Sequence, residues 1–587
     1  MLKLLKNLKK RDWILAFFCI FFIIGQVWLE LKMPDYMSAI TRLVQTEGSQ
    51  MSDIITNGAY MLGCALGSLI LAVFAGYLAS TVSSDFSMIT RKKIFDKVEN
   101  LSLQEVKQFS TSSLITRTTN DITQIQMVVS MGLQLMIKAP VTAVWAVLKI
   151  LNKGWQWSLA TGIAVVILLT VISILTAVVI PKFKVVQKLI DRINGVTREN
   201  LNGIRVVRAF NAEEYQEEKF ENVNTKLTNQ QIFNQKAFAF LQPVMNMVMH
   251  TLTLAIYFIG AYLIQAALMS QKLTLFSDMV VFSSYSMQVI MSFLMLAMIF
   301  MMLPRAEVSA ERINEVLDTD INIKDGKVSK GKADQEGTVE FKNVSFKYSD
   351  ADEYLLKNIS FKANKGETIA FIGSTGSGKS TLINLVPRFY DATDGEVLVD
   401  GVNVKEYKLE ELYNKIGYVP QKAVMFNGTV SSNVSYGDNG KGNKSSKNIK
   451  EAIRVAQATE FVEKMENTYD AHIAQGGTNV SGGQKQRLAI ARAIARDPEI
   501  YIFDDSFSAL DYKTDAVLRK ELKKYTKDAT CLIVAQRIGT IMNADKIIVL
   551  DEGVVAGIGT HKELLRNCEV YQQIALSQLT KEELENG

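Results

Sequence analysis

The sequence predicts an α-helical membrane domain of six transmembrane helices with long cytoplasmic arms, followed by a soluble α/β domain of the P-loop class. The 587 residues are 48% hydrophobic and their mean hydropathy is +0.11, values too apolar for an ordinary soluble protein. Six long apolar stretches precede Pro304 and none follows it. Beyond Pro304, a glycine-rich phosphate-binding pattern lies between an apolar strand and a helix.

Each apolar stretch is close to the roughly 20 residues that cross a bilayer as a helix. The stretches are 13–31, 59–78, 128–148, 159–180, 244–268 and 279–303. The connections 79–127 and 181–243 are long, and their apolar residues recur at helical spacing. At ~1.5 Å per residue, paired helices there reach ~35–40 Å beyond the bilayer. We predict a transmembrane domain over 1–310.

Basic residues place one side of this domain in the cytoplasm. They flank the first, second, fourth and sixth spans on a common side: Lys3, Lys6, Lys9, Lys10, Arg11, Arg91, Lys92, Lys93, Lys182, Lys184 and Arg305. An even number of spans then leaves both termini cytoplasmic. Residues 1–10, where leucines alternate with lysines, predict an amphipathic helix on the inner membrane surface.

The net charge is only +5, from 65 Lys and Arg against 60 Asp and Glu. The membrane flanks account for this excess. We therefore expect membrane lipids, and no nucleic acid, among the partners.

The phosphate-binding pattern follows the apolar run 368–372 and opens a helix. Glycines let backbone amides surround phosphates, Lys379 neutralises the β/γ oxygens, and Ser380 can ligate Mg²⁺. The residues expected to bind nucleotide here are Gly373, Ser374, Thr375, Gly376, Ser377, Gly378, Lys379, Ser380 and Thr381. Asp504, which ends the apolar strand 500–503, is expected to contact Mg²⁺ through water. ATP and Mg²⁺ are the predicted cofactors.

A second motif precedes that strand: Ser481, Gly482, Gly483 and Gln484 open a basic helix. Placed between a P-loop and an Asp-ended strand, this motif resembles the signature of ATP-binding-cassette (ABC) proteins. The resemblance implies that Tyr348 stacks on adenine and that Gln421 contacts Mg²⁺. It also implies a linker over 311–335 and an α/β P-loop ATP-binding cassette over 336–587. Six spans with long arms resemble the half-transporter exporters, and 109–117 and 203–210 resemble their coupling segments.

Two positions depart from that family's pattern. Asp505 stands where the family has the glutamate that polarises the attacking water, so the carboxylate is withdrawn by ~1.5 Å. Gln536 replaces the switch histidine and cannot become cationic. These catalytic positions are predicted to be degenerate, and the chain to bind ATP but hydrolyse it poorly alone.

An intact signature motif combined with Asp505 and Gln536 resembles the degenerate half of heterodimeric multidrug exporters of the bacterial cytoplasmic membrane. The partner would be a second half-transporter with intact Glu and His, whose hydrolytic site is completed in trans by residues 481–484. Alternatives are a lipid or peptide exporter half, an active homodimer in which Asp505 is a conservative replacement, and an ATP-gated sensor that does not transport.

The sixth span carries a methionine stripe at i+3 and i+4 spacing: Met287, Met291, Met295, Met298 and Met302. Flexible, polarisable methionine suits a cavity for hydrophobic or amphipathic small molecules. The alternative, that the stripe faces lipid or another helix, stays open.

Overall fold

The computed structural model describes residues 1–46, 48–151, 154–437 and 445–579. The chain divides into two compact units. The first comprises Met1–Glu99 and Phe109–Thr319, and the second comprises Asn100–Gln108 and Asp320–Gly587.

The first unit is built from helices, several of which continue far beyond the predicted spans into the arms. Within the described residues, six helical segments are long and apolar enough to cross a membrane, as predicted. The helices are α1 (Leu2–Leu5), α2 (Lys10–Gln45), α3 (Met51–Asn100), α4 (Leu103–Gln108, in the second unit), α5 (Thr111–Thr116), α6 (Ile122–Met131), α7 (Ile137–Leu151), α8 (Trp155–Ala209), α9 (Glu213–Ala266) and α10 (Met269–Asp318). Two π-helical turns, Arg117–Asp121 and Gly132–Met136, join α5, α6 and α7.

The most apolar window of each spanning segment is only 17 to 50% buried within the chain. Such apolar surface is compatible with a bilayer, where a helix satisfies its backbone hydrogen bonds internally. The buried part centres on Trp157 and Phe282, whose rings lie 5.5 Å apart. The Trp157 indole N–H donates to the Ile256 carbonyl at 3.1 Å, which satisfies the one polar atom of that ring.

Two ion pairs join α2 and α7 within this unit. Lys138 Nζ lies 2.9 Å from Glu30 Oε1, and the same carboxylate oxygen accepts hydrogen bonds from Gln26 Nε2 at 2.8 Å and Ser68 Oγ at 3.3 Å. One helical turn further along α2, Asp35 pairs with Lys149 on α7 at 2.6 Å. These contacts tie α2 to α7 in a region where an unpaired charge is costly.

The N-terminal segment differs from its prediction. Helix α1 covers only Leu2–Leu5, not 1–10, and α2 begins afresh at Lys10. The break coincides with a helix cap, because the Lys9 N–H donates to Asp12 Oδ2 at 3.1 Å. Leu4 is buried, and the Met1 amino group pairs with Glu307 at 3.1 Å. A position on the membrane surface stays a prediction.

The second unit combines helices with β-sheet. A mixed sheet has the order β12-β11-β3-β10-β9-β6, an antiparallel sheet has the order β2-β1-β4-β5, and β7 pairs with β8. The strands are β1 (Val339–Phe346), β2 (Leu356–Ala363), β3 (Thr368–Gly373), β4 (Asp394–Val399), β5 (Val402–Asn403), β6 (Ile416–Val419), β7 (Gly428–Thr429), β8 (His472–Ile473), β9 (Ile500–Asp504), β10 (Thr530–Val534), β11 (Lys546–Asp551) and β12 (Val554–Gly559).

The helices of this unit pack around those strands, and the longest is amphipathic with its apolar side buried. They are α11 (Lys379–Asn384), α12 (Leu409–Asn414), α13 (Val430–Val434), α14 (Ser446–Val455), α15 (Thr459–Glu463), α16 (Gly482–Arg496), α17 (Tyr512–Tyr525), α18 (Ile538–Ile541), α19 (His561–Asn567) and α20 (Glu569–Leu576).

The boundary near residue 311 also differs from its prediction. Helix α10 continues through Asp318, so the first eight residues of the predicted linker 311–335 are helical. Ala310, Ile313 and Val316 are buried at helical spacing, which extends the helix past the last apolar span. The second unit begins at Asp320 rather than 336.

One arm segment lies in the second unit. Residues 100–108 belong to it, whereas the predicted coupling segment 109–117 belongs to the first unit. Glu105 is buried, and its carboxylate accepts the Ser102 N–H at 2.6 Å and the Asn322 N–H at 3.0 Å. Hydrogen bonds from backbone N–H groups to a buried carboxylate are strong, so Glu105 holds α4 against the backbone at Asn322.

We predict that Glu30→Gln lowers the melting temperature of the purified protein. The substitution removes the charge that compensates Lys138, and interhelical polar contacts in membranes contribute about 1 kcal/mol. For a domain of more than 150 residues, this corresponds to about 2–4 °C. Thermal unfolding in detergent measures it, with the exposed Glu217→Gln as control. The double variant Glu30→Lys/Lys138→Glu, which exchanges the two charges, should recover most of the lost melting temperature. Equal melting temperatures of Glu30→Gln and wild type would contradict the pairing of Lys138 with Glu30.

Candidate nucleotide-binding site

Three parallel strands position the candidate site. β10 pairs with β9 through Val534 and Asp504, and with β3 through Val534 and Phe371. All three strands run in the same direction, so their carboxyl ends meet at one edge of the sheet. The loops that follow them carry the P-loop, Asp505 and Gln536. Ligands of α/β sheets bind outside such carboxyl ends.

The P-loop turns through two glycines in the left-handed region, Gly376 at φ +88° and Gly378 at φ +90°. A β-carbon on Gly378 would also lie 2.6 Å from Leu356 Cδ2. Gly378 is the N-cap of α11, so the loop delivers its amides to a helix N-terminus, where anions bind.

Lys379 lies across this loop. Its Nζ donates to the Gly373 carbonyl at 2.9 Å and the Ser374 carbonyl at 2.7 Å. Burial lowers the pKa of Lys379, while the nearby Asp505 and Asp504 carboxylates act in the opposite direction. The ammonium is thus held at the loop that is expected to receive phosphate oxygens.

Two of the three predicted Mg²⁺ contacts, Ser380 and Asp504, fit a magnesium ion. Ser380 Oγ donates to Asp504 Oδ1 at 2.7 Å, which brings a hydroxyl and a carboxylate together at the first turn of α11. Mg²⁺ prefers few protein oxygen ligands and retains waters and phosphate oxygens. Burial raises the pKa of Asp504 despite the Ser380 hydrogen bond. With Mg²⁺ bound, Ser380 and Asp504 would hold it, and the ion would neutralise charge on the phosphates.

The carboxylate of Asp505 is held by two side-chain amides. Gln536 Nε2 donates to Asp505 Oδ2 at 2.8 Å, and Gln421 Nε2 donates to the same oxygen at 3.3 Å. Asp505 is 7% exposed, and burial raises its pKa. The two positions that depart from the family pattern therefore contact each other directly, and Gln421 is hydrogen-bonded to Asp505.

A residue that the sequence reasoning missed supports Gln536. Gln578 Nε2 donates to the Gln536 carbonyl at 2.8 Å, and Gln578 Oε1 accepts the Ile538 N–H at 2.8 Å. This amide bridge fixes the backbone on both sides of Arg537. The glutamine follows α20, 40 and 42 residues from its partners, and no local motif marks it.

Tyr348 and the signature motif occupy different surroundings. The Tyr348 hydroxyl lies 2.9 Å from Thr381 Oγ1, next to the P-loop helix. Ser481 caps α16, with its Oγ accepting the Gln484 N–H at 3.3 Å, and Ser481 and Gly482 are exposed. The start of α16 is thereby open to another molecule.

The methionine stripe faces away from the core of the first unit. Met291 and Met298 are 45% and 62% exposed, and the other three side chains are half-buried. Between them, Ile290 and Leu294 are buried. The stripe is therefore not the packed side of α10 within this chain.

Residues 16–293 match the family model described as ABC transporter transmembrane region. Residues 356–508 match the family model described as ABC transporter. The chain is 38% identical over 547 residues to an uncharacterised ABC transporter ATP-binding protein of Mycobacterium tuberculosis, with 92% of this chain and 93% of that protein covered. The chain belongs to the ABC transporter family.

Two further comparisons describe the range of similar proteins. A lipid A-core flippase of Pseudomonas aeruginosa is 32% identical, with 86% of this ABC transporter chain and 80% of the flippase covered. The structure of a bacterial Atm1-family ABC exporter with ATP bound superposes with a TM-score of 0.80 at 24% identity, covering 96% of this chain and 97% of the exporter. The fold is that of an ABC exporter half-transporter, and its cassette implies binding of ATP with Mg²⁺.

We predict that Asp504→Asn raises the melting temperature of the nucleotide-free protein while removing its stabilisation by MgATP. Burial penalises the charged form of Asp504, and asparagine keeps the acceptor for Ser380 without that charge. A gain of about 1 kcal/mol corresponds to about 2–4 °C. Thermal unfolding with and without MgATP measures both effects.

The control for this substitution is Asp528→Asn, at a side chain that is 84% exposed. This control should change neither the melting temperature of the nucleotide-free protein nor its stabilisation by MgATP. Full MgATP stabilisation of Asp504→Asn would show that Asp504 takes no part in holding Mg²⁺.

Proposed function

We propose that this chain is the degenerate half of a heterodimeric ATP-driven exporter that moves amphipathic drugs or similar apolar compounds out of the cytoplasm or inner leaflet. It would bind ATP at its own P-loop and hydrolyse it poorly there. Hydrolysis would occur mainly at a site that the partner's P-loop forms with residues 481–484 of this chain. The partner is a second half-transporter with intact Glu and His at the positions of Asp505 and Gln536.

The observation that carries this proposal is the hydrogen bond from Gln536 to Asp505. A general base must present a free carboxylate oxygen to water at ~2.6–3.2 Å. Here one of the two Asp505 oxygens accepts two amide N–H groups, so its lone pairs are directed at the amides and not at a water molecule. Because glutamine cannot carry the positive charge of a histidinium, Gln536 can replace the switch residue as a hydrogen-bond donor only.

The exposed helix start at Ser481 supports the role in trans. Its hydroxyl and amides follow the pattern of an intact signature, and anions bind at such termini. A chain with an intact signature and weakened catalytic positions is expected where two different chains share two nucleotide sites. In a homodimer, both sites would contain the Asp505–Gln536 pair.

The substrate proposal rests on the methionine stripe. Exposed methionines on a membrane helix that face away from the core suit a cavity for apolar molecules of varied shape. The lipid A-core flippase among the relatives supports a second candidate, a lipid-like amphiphile as the substrate. In both versions the termini and the cassette lie in the cytoplasm of a bacterium, where ATP is available.

We predict that ATPase activity requires the pair of chains. The chain purified alone should be about a hundredfold or more less active than the complex with the product of its neighbouring gene, because general-base catalysis of this size is missing from its own site. Within the complex, Glu→Gln in the partner should abolish turnover, and Asp505→Asn should leave it within about twofold. Transporter-like turnover by the isolated chain would instead establish a homodimeric exporter.

We also predict that Met291→Ala/Met298→Ala lowers drug-stimulated ATPase activity several-fold and changes basal activity little. The double variant removes two polarisable side chains from the exposed side of α10. Stimulation by a panel of amphipathic dyes in nanodiscs measures the effect. Met247→Ala is the matched control, since Met247 is 71% exposed on α9. Equal stimulation of the double variant and the control would exclude the stripe from substrate contact.

A further inference from the structure

An ammonium group from the first cytoplasmic arm lies over the predicted adenine-binding ring. Lys107 on α4 places its Nζ 5.1 Å from the centre of the Tyr348 ring and 5.5 Å from that of Tyr390. The two rings are perpendicular, with centres 5.5 Å apart. A hydrogen bond with Tyr390 raises the pKa of Lys107, so the side chain remains a cation at neutral pH. Both contacts are cation–π interactions.

Tyr348 connects this cation to the nucleotide-binding loop. Its hydroxyl is within hydrogen-bond distance of Thr381, two residues after Lys379. Its ring also makes an edge contact with Phe346, with centres 4.9 Å apart. The Tyr348 side chain is therefore held at its hydroxyl and at one edge, and a ring face carries Lys107.

A cavity of about 220 Å³ lies beside the same ring. Ser102 and Gln104 from the arm line it together with Tyr348 and Tyr390. Lys107 is an exposed residue with a flexible stem, so its ammonium group can leave the ring for solvent. Glu105, in contrast, is buried and attached to two backbone amides. Movement of Lys107 would thus leave α4 fastened.

We propose that Lys107 and the purine base of the nucleotide compete for the Tyr348 ring, so that base binding at this chain's own site releases Lys107 from its aromatic contacts. A cation and a stacked base cannot occupy one ring face together. The inference rests on the proposed placement of the base at Tyr348. It adds a residue of the first arm, covalently continuous with the membrane helix α3, to those that respond to nucleotide.

The competition predicts the direction in which nucleotide affinity changes when Lys107 is replaced. If the Lys107 contact must break before the base stacks, its free energy is subtracted from nucleotide affinity, and removing the cation must strengthen binding. An exposed cation–π contact of this kind corresponds to about a two- to fivefold change in affinity. The affinity for a ligand without a base should not depend on Lys107.

The test is photolabelling of this chain by 8-azido-ATP in the full-length complex, on ice and with Mg²⁺. Lys107→Met should lower the concentration for half-maximal labelling about two- to fivefold. Inorganic tripolyphosphate should compete equally well with both proteins, because it lacks a base. Lys107→Arg, which keeps the cation, should behave as wild type. Unchanged or weaker labelling of Lys107→Met would overturn the proposal, as would a parallel change for tripolyphosphate.

Tyr348→Leu separates this inference from the proposed site. It should raise the half-maximal concentration and remove the effect of Lys107→Met in the double variant. If Tyr348→Leu has no effect, the base does not stack on Tyr348 and the proposed placement fails. If it weakens labelling while Lys107→Met has no effect, the base site stands and only the competition is rejected.

Discussion

The parallel pairing of β9, β10 and β3 is the constraint on which the nucleotide site depends. Its register puts Val534 beside both Asp504 and Phe371, so three loops distant in sequence leave the sheet at one edge. A shift of one residue in β10 would turn Val534 to the opposite face and would separate Gln536 from Asp505. Both faces of these strands are buried, so a slipped strand would force its apolar side chains into space that is packed for others. The geometry of the candidate site is thus set by packing in the sheet.

The same constraint explains which parts of the site could be predicted from sequence. The P-loop is contiguous, so its glycines, Lys379 and Ser380 act within one turn, and the six apolar stretches identify membrane helices by length alone. The contact between Asp505 and Gln536 spans 31 residues and depends on strand register. Gln578 and Lys107 are single polar residues, one in a turn and one in a helix, so only tertiary structure reveals their contacts. The early end of α1 did have a local signal, the cap at Asp12.

Glu105 and Lys107 belong to the same arm segment but are held by contacts of different strength. Glu105 is buried and bound to two backbone amides, and such a charged hydrogen bond is costly to break. Lys107, two residues further along, is exposed. It is held by a hydrogen bond with Tyr390 and by two aromatic rings at distances above 5 Å, where each cation–π contact is weak. A strong anchor beside a weak contact permits a local rearrangement without detaching the helix. This difference makes Lys107, rather than Glu105, the residue able to respond to a ligand.

The Asp505–Gln536 pair is stabilised by the same hydrogen bonds that support its proposed loss of catalytic function. A buried carboxylate needs hydrogen-bond donors, and Asp505 obtains them from Gln536 and Gln421. Each donor offsets part of the cost of burying the carboxylate, and the oxygen that accepts both N–H groups is no longer free to accept a hydrogen bond from water. A longer glutamate would move its oxygen beyond these amides, and a histidine at 536 would offer a donor that can carry charge. The shorter side chain and the glutamine therefore suit each other, and replacing Gln536 alone would leave the Asp505 carboxylate with the longer Gln421 hydrogen bond of this pair of amides.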